Sequence, residues 1–141
     1  MDRQITISVG ASRRDTQWKQ QLLSVSELYQ RLQQPMRTNE SFAAYCAMSK
    51  AQQSDLKDVG GFVGGALIGG RRKASAVQFR DVVTLDFDNI PGWKTDDIIA
   101  ACDKMMVSYC VYSTRKRCAN KPRLRVVIPL DRSVSPDEYE P

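Results

Sequence analysis

Two aspartates one residue apart, Asp86 and Asp88, are the residues of this chain best suited to do chemistry. They close the apolar run 82–85, which predicts a buried strand. Side chains at positions i and i+2 of a strand share a face, so the two carboxylates converge. Their repulsion is relieved by a cation, and hard oxygen ligands suit Mg²⁺ or Mn²⁺. The pair predicts a metal site for phosphoryl or nucleotidyl transfer; the alternative is an acidic turn over residues 88–92.

Basic residues form the second group with chemical potential. The chain has 21 lysines and arginines against 16 acids, a net charge of +5. Basic clusters near a carboxylate pair predict a polyanionic substrate held beside its metal. Arg123 and Arg125 alternate with apolar residues, which places both on one strand face, where they bind phosphates or are simply solvated. The basic residues concerned are Arg71, Arg72, Lys73, Arg115, Lys116, Arg117, Lys121, Arg123 and Arg125.

Composition excludes several classes of function. Because the chain contains no histidine, Ser-His-Asp and Cys-His catalysis and mixed zinc sites are excluded. The four cysteines show no C-x-x-C pairing and are interpreted as reduced thiols. No segment reads as a membrane span or a signal peptide, so the prediction is a cytoplasmic protein without a membrane partner.

The first half of the chain reads as one strand followed by helices. Residues 5–9 alternate between apolar and polar types, which predicts a strand. Ser24 and Ser49 each begin a capping box, and a further helix is expected over residues 41–48. Three glycine pairs within residues 60–70 indicate either close backbone approach around a buried segment or a mobile basic loop, with Arg71, Arg72 and Lys73 contacting a phosphate backbone.

The second half predicts a β-α-β-β order: strand 81–88, a helix capped by Thr95, and strands 107–112 and 123–130. This order predicts an α+β fold, half of a split βαβ or ferredoxin-like sheet. If the strands that flank the helix are adjacent and parallel, the two aspartates face Ser113 and the basic loop that follows it.

The end of the chain predicts a truncated domain. Ser135 and Pro136 are a strong helix start, yet the sequence stops at Pro141, barely one turn later. We therefore expect residues 1–141 to form a single incomplete domain, with residues 1–80 supplying the N-terminal strand, helices and glycine-rich loop, and residues 81–141 the metal and nucleotide core.

Six segments occur in an order that is typical of a known family: MSKA (48–51), KDVGGFVGG (57–65), GGRRK (69–73), TLDFD (84–88), YSTRKR (112–117) and KPRLRVVIPL (121–130). In that order they resemble the N-terminal primase-type domain of phage and prophage virulence-associated protein E relatives. That domain is similar to the archaeo-eukaryotic primase superfamily. The resemblance covers nearly the whole chain.

The resemblance implies an RRM-like core that synthesises primers or polymerises nucleotides from nucleoside triphosphates with Mg²⁺ or Mn²⁺. It implies a single-stranded DNA template and a helicase, C-terminal or separate, as partners. The residue roles that follow are Asp86 and Asp88 as catalytic metal ligands, Ser113, Arg115, Arg117, Arg123 and Arg125 for the nucleotide, and Arg71, Arg72, Lys73 and Lys116 for nucleic acid.

Two departures from the family pattern keep other functions open. Relatives commonly carry histidine where this chain has only arginine or lysine at residues 115–117, and a third acidic motif falls beyond Pro141. Arginine can grip a triphosphate but cannot exchange a proton. A catalytically degenerate nucleic-acid-binding module is therefore the alternative, and a metal-dependent nuclease on the same scaffold is a third, weaker one.

Overall fold

The structure, a computed structural model, describes residues 2–139 and has an α+β fold, as the sequence predicts. Its first half contains a three-stranded antiparallel sheet and three short helices. Serines cap all three helices, and the capping boxes at Ser24 and Ser49 are both formed. The elements are β1 (Gln4–Gly10), β2 (Lys19–Ser24), α1 (Val25–Leu32), α2 (Phe42–Ala47), α3 (Lys50–Lys57) and β3 (Gly61–Val63), with strand order β2-β1-β3.

The second half forms a four-stranded antiparallel sheet with one helix on its face. Its elements are β4 (Gly65–Leu67), β5 (Val77–Asp88), α4 (Thr95–Asp103), β6 (Cys110–Ser113), β7 (Arg123–Val134) and the single turn α5 (Pro136–Tyr139). The strand order is β4-β5-β7-β6, so β7 lies between β5 and β6 and pairs antiparallel with both. The expected adjacency of β5 and β6 is therefore wrong, although the split β-α-β arrangement with a strand between its halves is present.

Two apolar clusters hold the layers together. On one face of the second sheet, Leu124 and Val126 pack against Ile98 and Cys102 of α4. On the other face, apolar residues of the second sheet pack against the first sheet and α1: Val82, Val127, Ile5, Ile7, Leu23 and Leu28. The second sheet thus has one face toward α4 and one face toward the N-terminal half.

Other details differ from the sequence predictions. Strand β2 was not predicted, and Thr95 is the first residue of α4, whose N-cap is Lys94.

All four cysteines are free thiols. Among residues 2–139, no helix has both the length and the apolar character that crossing a bilayer demands.

The glycine-rich segment is ordered around close backbone contacts. Gly65 lies in β4, opposite Arg80 of β5, and Gly64 accepts backbone hydrogen bonds from Asp81 and Val82. Gly69 and Gly70 have φ values of 66° and 67°, in the left-handed region that favours glycine. Close backbone approach, here of Gly64 and Gly65 to β5, therefore explains the glycines up to β4.

Candidate functional site

The predicted carboxylates face arginines of the neighbouring strand. In the antiparallel register of β5 and β7, Asp86 lies opposite Arg125, and Asp88 lies opposite Arg123. Directly opposed residues of a sheet share a face, so the four charged side chains form two adjacent rows. On β6, Tyr112 lies opposite Arg125 and extends the first row across a third strand.

The Asp86–Arg125 row is a bidentate ion pair. Arg125 Nε donates to Asp86 Oδ1 at 2.6 Å, and Arg125 Nη2 donates to Asp86 Oδ2 at 3.0 Å. The hydrogen bonds from Arg125 hold the pKa of Asp86 below its ordinary value, against the opposing effect of partial burial. The same hydrogen bonds raise the pKa of Arg125. Both side chains remain open to solvent, with 52% of Asp86 and 39% of Arg125 exposed.

The Asp88–Arg123 row is looser. Arg123 Nη1 and Asp88 Oδ2 are 4.0 Å apart, and Arg123 Nη2 also lies 3.4 Å from the Asn89 side-chain oxygen. The Asp88 carboxylate is 49% exposed. The two carboxylates are about equally exposed, but Arg125 holds both oxygens of Asp86 whereas Arg123 is 4.0 Å from Asp88, so the oxygens of Asp88 are more available to a ligand.

These charged rows lie on the face of the second sheet that packs against the N-terminal half. Val82 and Val127 lie on the same face and belong to the cluster shared with the first sheet. The neighbouring residues of β7 that point the other way, Leu124 and Val126, are buried against α4. The register of β5 and β7 thus places both arginines beside the aspartates, and the alternation along β7 turns them away from α4.

Ser113 lies on the other face of the sheet. It pairs with Leu124, whose side chain packs against α4. Together with Arg117 and Thr95 it lines a small cleft of about 260 Å³ beside α4. Arg117 Nη2 is 3.5 Å from the Thr95 hydroxyl. Because β7 separates β5 from β6, Ser113 does not face the aspartates as the predicted adjacency would require.

Arg115 is a structural anchor of the basic loop. Its guanidinium forms a 2.7 Å ion pair with Glu40 and a 2.9 Å hydrogen bond with the Thr38 hydroxyl. It also lies 5.0 Å from the ring centroid of buried Tyr45, in a cation–π contact. Hydrogen bonds from Thr38 and Arg115 hold the pKa of Glu40 below its ordinary value. Arg115 therefore fixes the loop to the N-terminal half. The next residue in the loop, Lys116, has a φ of 66°.

The basic cluster at residues 71–73 lies far from the aspartates. It precedes β5, whereas Asp86 is near the end of that strand. The nine steps from Val77 to Asp86 along the strand span about 30 Å at about 3.3 Å per step. Arg72 stacks on Trp18, 5.2 Å from its ring centroid, and Trp18 N donates to Gly70 O at 2.8 Å. The cluster is thus tied to the first sheet's side of the molecule.

A separate apolar groove is larger than the cleft beside α4. It measures about 700 Å³ and lies between the first sheet and α1. Its lining includes Ile7, Val9, Leu28, Leu32 and Phe62, and none of the predicted site residues. The charged residues and this apolar groove therefore occupy different places.

Sequence reasoning missed Asp81, which joins the two sheets. This carboxylate is 3% exposed and accepts hydrogen bonds from Arg3, Thr6 and Ser133. A charged residue within the run 79–83 is the signal that could have revealed it, because a buried charge requires partners.

The chain matches the VapE N-terminal domain over residues 1–141 and belongs to that family. This membership indicates a phage replication-related protein of the virulence-associated protein E type. No curated protein and no solved structure matches the chain.

Proposed function

We propose that this chain is the nucleotide-binding and metal-binding part of a primase-polymerase-type nucleotidyltransferase that acts on a single-stranded DNA template. The observation that supports the proposal is the pairing of Asp86 with Arg125 and of Asp88 with Arg123 on one partly exposed sheet face. Oxygen ligands for a divalent cation and guanidinium groups for phosphates there lie side by side, which is what metal-assisted nucleotidyl transfer requires.

The donor set fits Mg²⁺ or Mn²⁺ that arrives with a triphosphate. Mg²⁺ in such sites is held by one or two carboxylates, with substrate phosphates and waters as the remaining ligands. Within residues 2–139, no group of three histidine, cysteine, aspartate or glutamate side chains is arranged to hold a metal without such help. Asp86 and Asp88 would hold the cation, which neutralises the triphosphate and activates the primer hydroxyl.

The basic residues have distinct proposed roles. Arg123 and Arg125 bind the nucleotide phosphates, since guanidinium groups make strong paired contacts with them. Ser113 and Arg117 lie on the α4 side of the sheet, so they serve the nucleotide only where it reaches around the strand ends. Lys116, Arg71, Arg72 and Lys73 contact the template backbone, and a helicase acts with the domain at the replication fork.

The proposal is tested by nucleotide incorporation on a primed or unprimed single-stranded template with Mn²⁺, using the protein as it occurs. Replacing both aspartates by asparagine, Asp86→Asn with Asp88→Asn, should lower incorporation at least tenfold, because the cation loses its carboxylate ligands. The matched control is Asp96→Asn with Asp131→Asn, which removes two exposed acids elsewhere. Incorporation by the double variant equal to that of the control would refute the metal site.

A catalytically degenerate nucleic-acid-binding module is the second candidate. It is favoured by the arginines and lysine at residues 115–117, where the family pattern has histidine, and by the anchoring of Arg115 to Glu40. Such a module would bind single strands with a strong salt dependence, and its affinity would be unchanged by EDTA and by the two aspartate substitutions.

A further inference from the structure

The Asp86–Arg125 ion pair occupies the groups to which the proposed function assigns a cation and a phosphate. Both carboxylate oxygens of Asp86 accept from Arg125, at 2.6 and 3.0 Å. The two donor nitrogens of Arg125, Nε and Nη2, form one edge of its guanidinium. The same edge can bind a phosphate through two parallel hydrogen bonds. As the structure stands, each residue therefore blocks the other.

Charge balance points the same way. Asp86, Asp88, Arg123 and Arg125 carry no net charge together. A divalent cation added alone leaves this group strongly positive, and a triphosphate added alone leaves it strongly negative. The two together leave the group less negative than the triphosphate does alone, and each ligand displaces one partner of the pair: the cation replaces Arg125 on Asp86, and the phosphate replaces Asp86 on Arg125.

We propose that the Asp86–Arg125 pair is a reciprocal latch, which makes the binding of a divalent cation and the binding of a triphosphate depend on each other. This inference rests on the proposed function and adds to it how the two ligands affect each other's affinity. Each ligand alone binds weakly, and each one releases the residue that the other ligand uses. Coupling of this kind is necessarily mutual and is typically about 5–150-fold.

The pair can be broken without losing the fold. It is a partly exposed cross-strand pair, and such pairs contribute little to stability. The same strand carries a second bidentate pair for comparison, in which Arg132 donates to Glu138 at 2.7 and 3.2 Å, far from the aspartates in the register of β7. Arg123, on the same face as Arg125, offers a second comparison, because its contact with Asp88 is only 4.0 Å.

The first test measures Mn²⁺ alone, by the loss of the free-ion EPR signal. The expected result is that Arg125→Gln binds Mn²⁺ about fivefold or more tightly than the wild type, because both oxygens of Asp86 become free. Arg123→Gln removes the same charge without releasing a bidentate carboxylate, so its gain should be about twofold at most. Arg132→Gln should bind Mn²⁺ as the wild type does.

The second test measures tripolyphosphate in EDTA, by calorimetry. Asp86→Asn frees the guanidinium of Arg125 and should bind tripolyphosphate about fivefold or more tightly than the wild type. The control Asp96→Asn removes one exposed acid from α4 and should show no such gain. If Asp86 served only as a metal ligand, its replacement would not raise the affinity for tripolyphosphate by this factor.

The outcomes separate the latch from the function on which it rests. Two results would overturn the latch alone, provided that the wild type binds the Mn²⁺–ATP complex. In the first, the affinity of Arg125→Gln for Mn²⁺ rises no more than that of Arg123→Gln. In the second, the affinity of Asp86→Asn for tripolyphosphate does not rise. If the wild type fails to bind the Mn²⁺–ATP complex, the proposed function is overturned, and the latch with it.

Discussion

Replacing Asp81 with alanine is expected to destabilise the protein by about 3–5 kcal/mol, because it removes the shared acceptor of a buried network and deprives Arg3 of its carboxylate partner and the Thr6 N–H of its acceptor. Asp81 is 3% exposed. It accepts from Arg3 Nη2 at 2.9 Å, from the backbone N–H of Thr6 at 2.7 Å and from the Ser133 hydroxyl at 2.5 Å. These contacts join β1, β5 and β7, and hence the two sheets.

Urea denaturation of Asp81→Ala beside Asp131→Ala measures this effect. Asp131 is an exposed residue of β7, so its replacement should change the free energy of unfolding by no more than about 0.5 kcal/mol. A loss below about 1 kcal/mol for Asp81→Ala would contradict the interpretation that this carboxylate holds the sheets together.

The Asp81 network also predicts the direction of a pH dependence. Burial alone would raise the pKa of Asp81, but hydrogen bonds from Ser133 and Thr6 and the charge of Arg3 outweigh it and lower the pKa below its ordinary value. A group whose pKa is lowered by folding stabilises the folded state above its unfolded pKa, about 3.9 for aspartate, and loses this contribution as the pH falls through the lower folded value. The stability difference between wild type and Asp81→Ala should therefore shrink below about pH 4.

Replacing Gly65 with alanine is expected to cost about 3 kcal/mol, at the upper end of overpacking effects. A Cβ on Gly65 would lie 2.0 Å from the carbonyl oxygen of Phe79 and 2.9 Å from the Cα of Arg80, both backbone atoms of β5. The strand would have to move away, which would also disturb the 2.8 Å hydrogen bond from the Ser8 hydroxyl to the Gly65 carbonyl.

Gly61→Ala is the matched control for this prediction. A Cβ on Gly61 meets nothing within 4 Å, so alanine should be neutral or slightly stabilising through reduced freedom of the unfolded chain. Thermal or urea unfolding of the two variants makes the comparison. Equal stabilities would show that the glycine pairs do not serve close strand approach.

Much of the fold could be predicted because its signals are local. Ser24 and Ser49 begin helices through capping boxes whose partners lie three residues away in the sequence. The alternation around Arg123 and Arg125 likewise fixes which residues share a face of β7 before any partner strand is known. The start of a helix at Pro136 is present for the same reason.

What the sequence could not predict depends on contacts between distant segments. Strand β2 is polar, and its Leu22 is 71% exposed, so only its pairing with β1 makes it a strand. The place of β7 between β5 and β6 is a matter of strand order, which the local periodicity of the sequence does not determine.

The candidate site divides in the same way. The shared face of the two aspartates followed from their spacing, and the shared face of Arg123 and Arg125 from the alternation in β7, but the pairing of aspartates with arginines depends on the strand order. The role of Arg115 did not, because its partner Glu40 is 75 residues away and nothing near either residue marks the ion pair.

NMR of the ¹⁵N-labelled protein with Mn²⁺ and ATP determines whether Asp86 and Asp88 hold a divalent cation beside arginines that bind a triphosphate. Paramagnetic broadening falls off steeply with distance from the ion, so it locates the cation. If the cation binds to Asp86 and Asp88, the amide signals of residues 85–89 and 123–126 broaden first. Broadening centred on the exposed acids Asp96 and Asp97 of α4, with residues 85–89 unaffected, would show that the cation binds elsewhere.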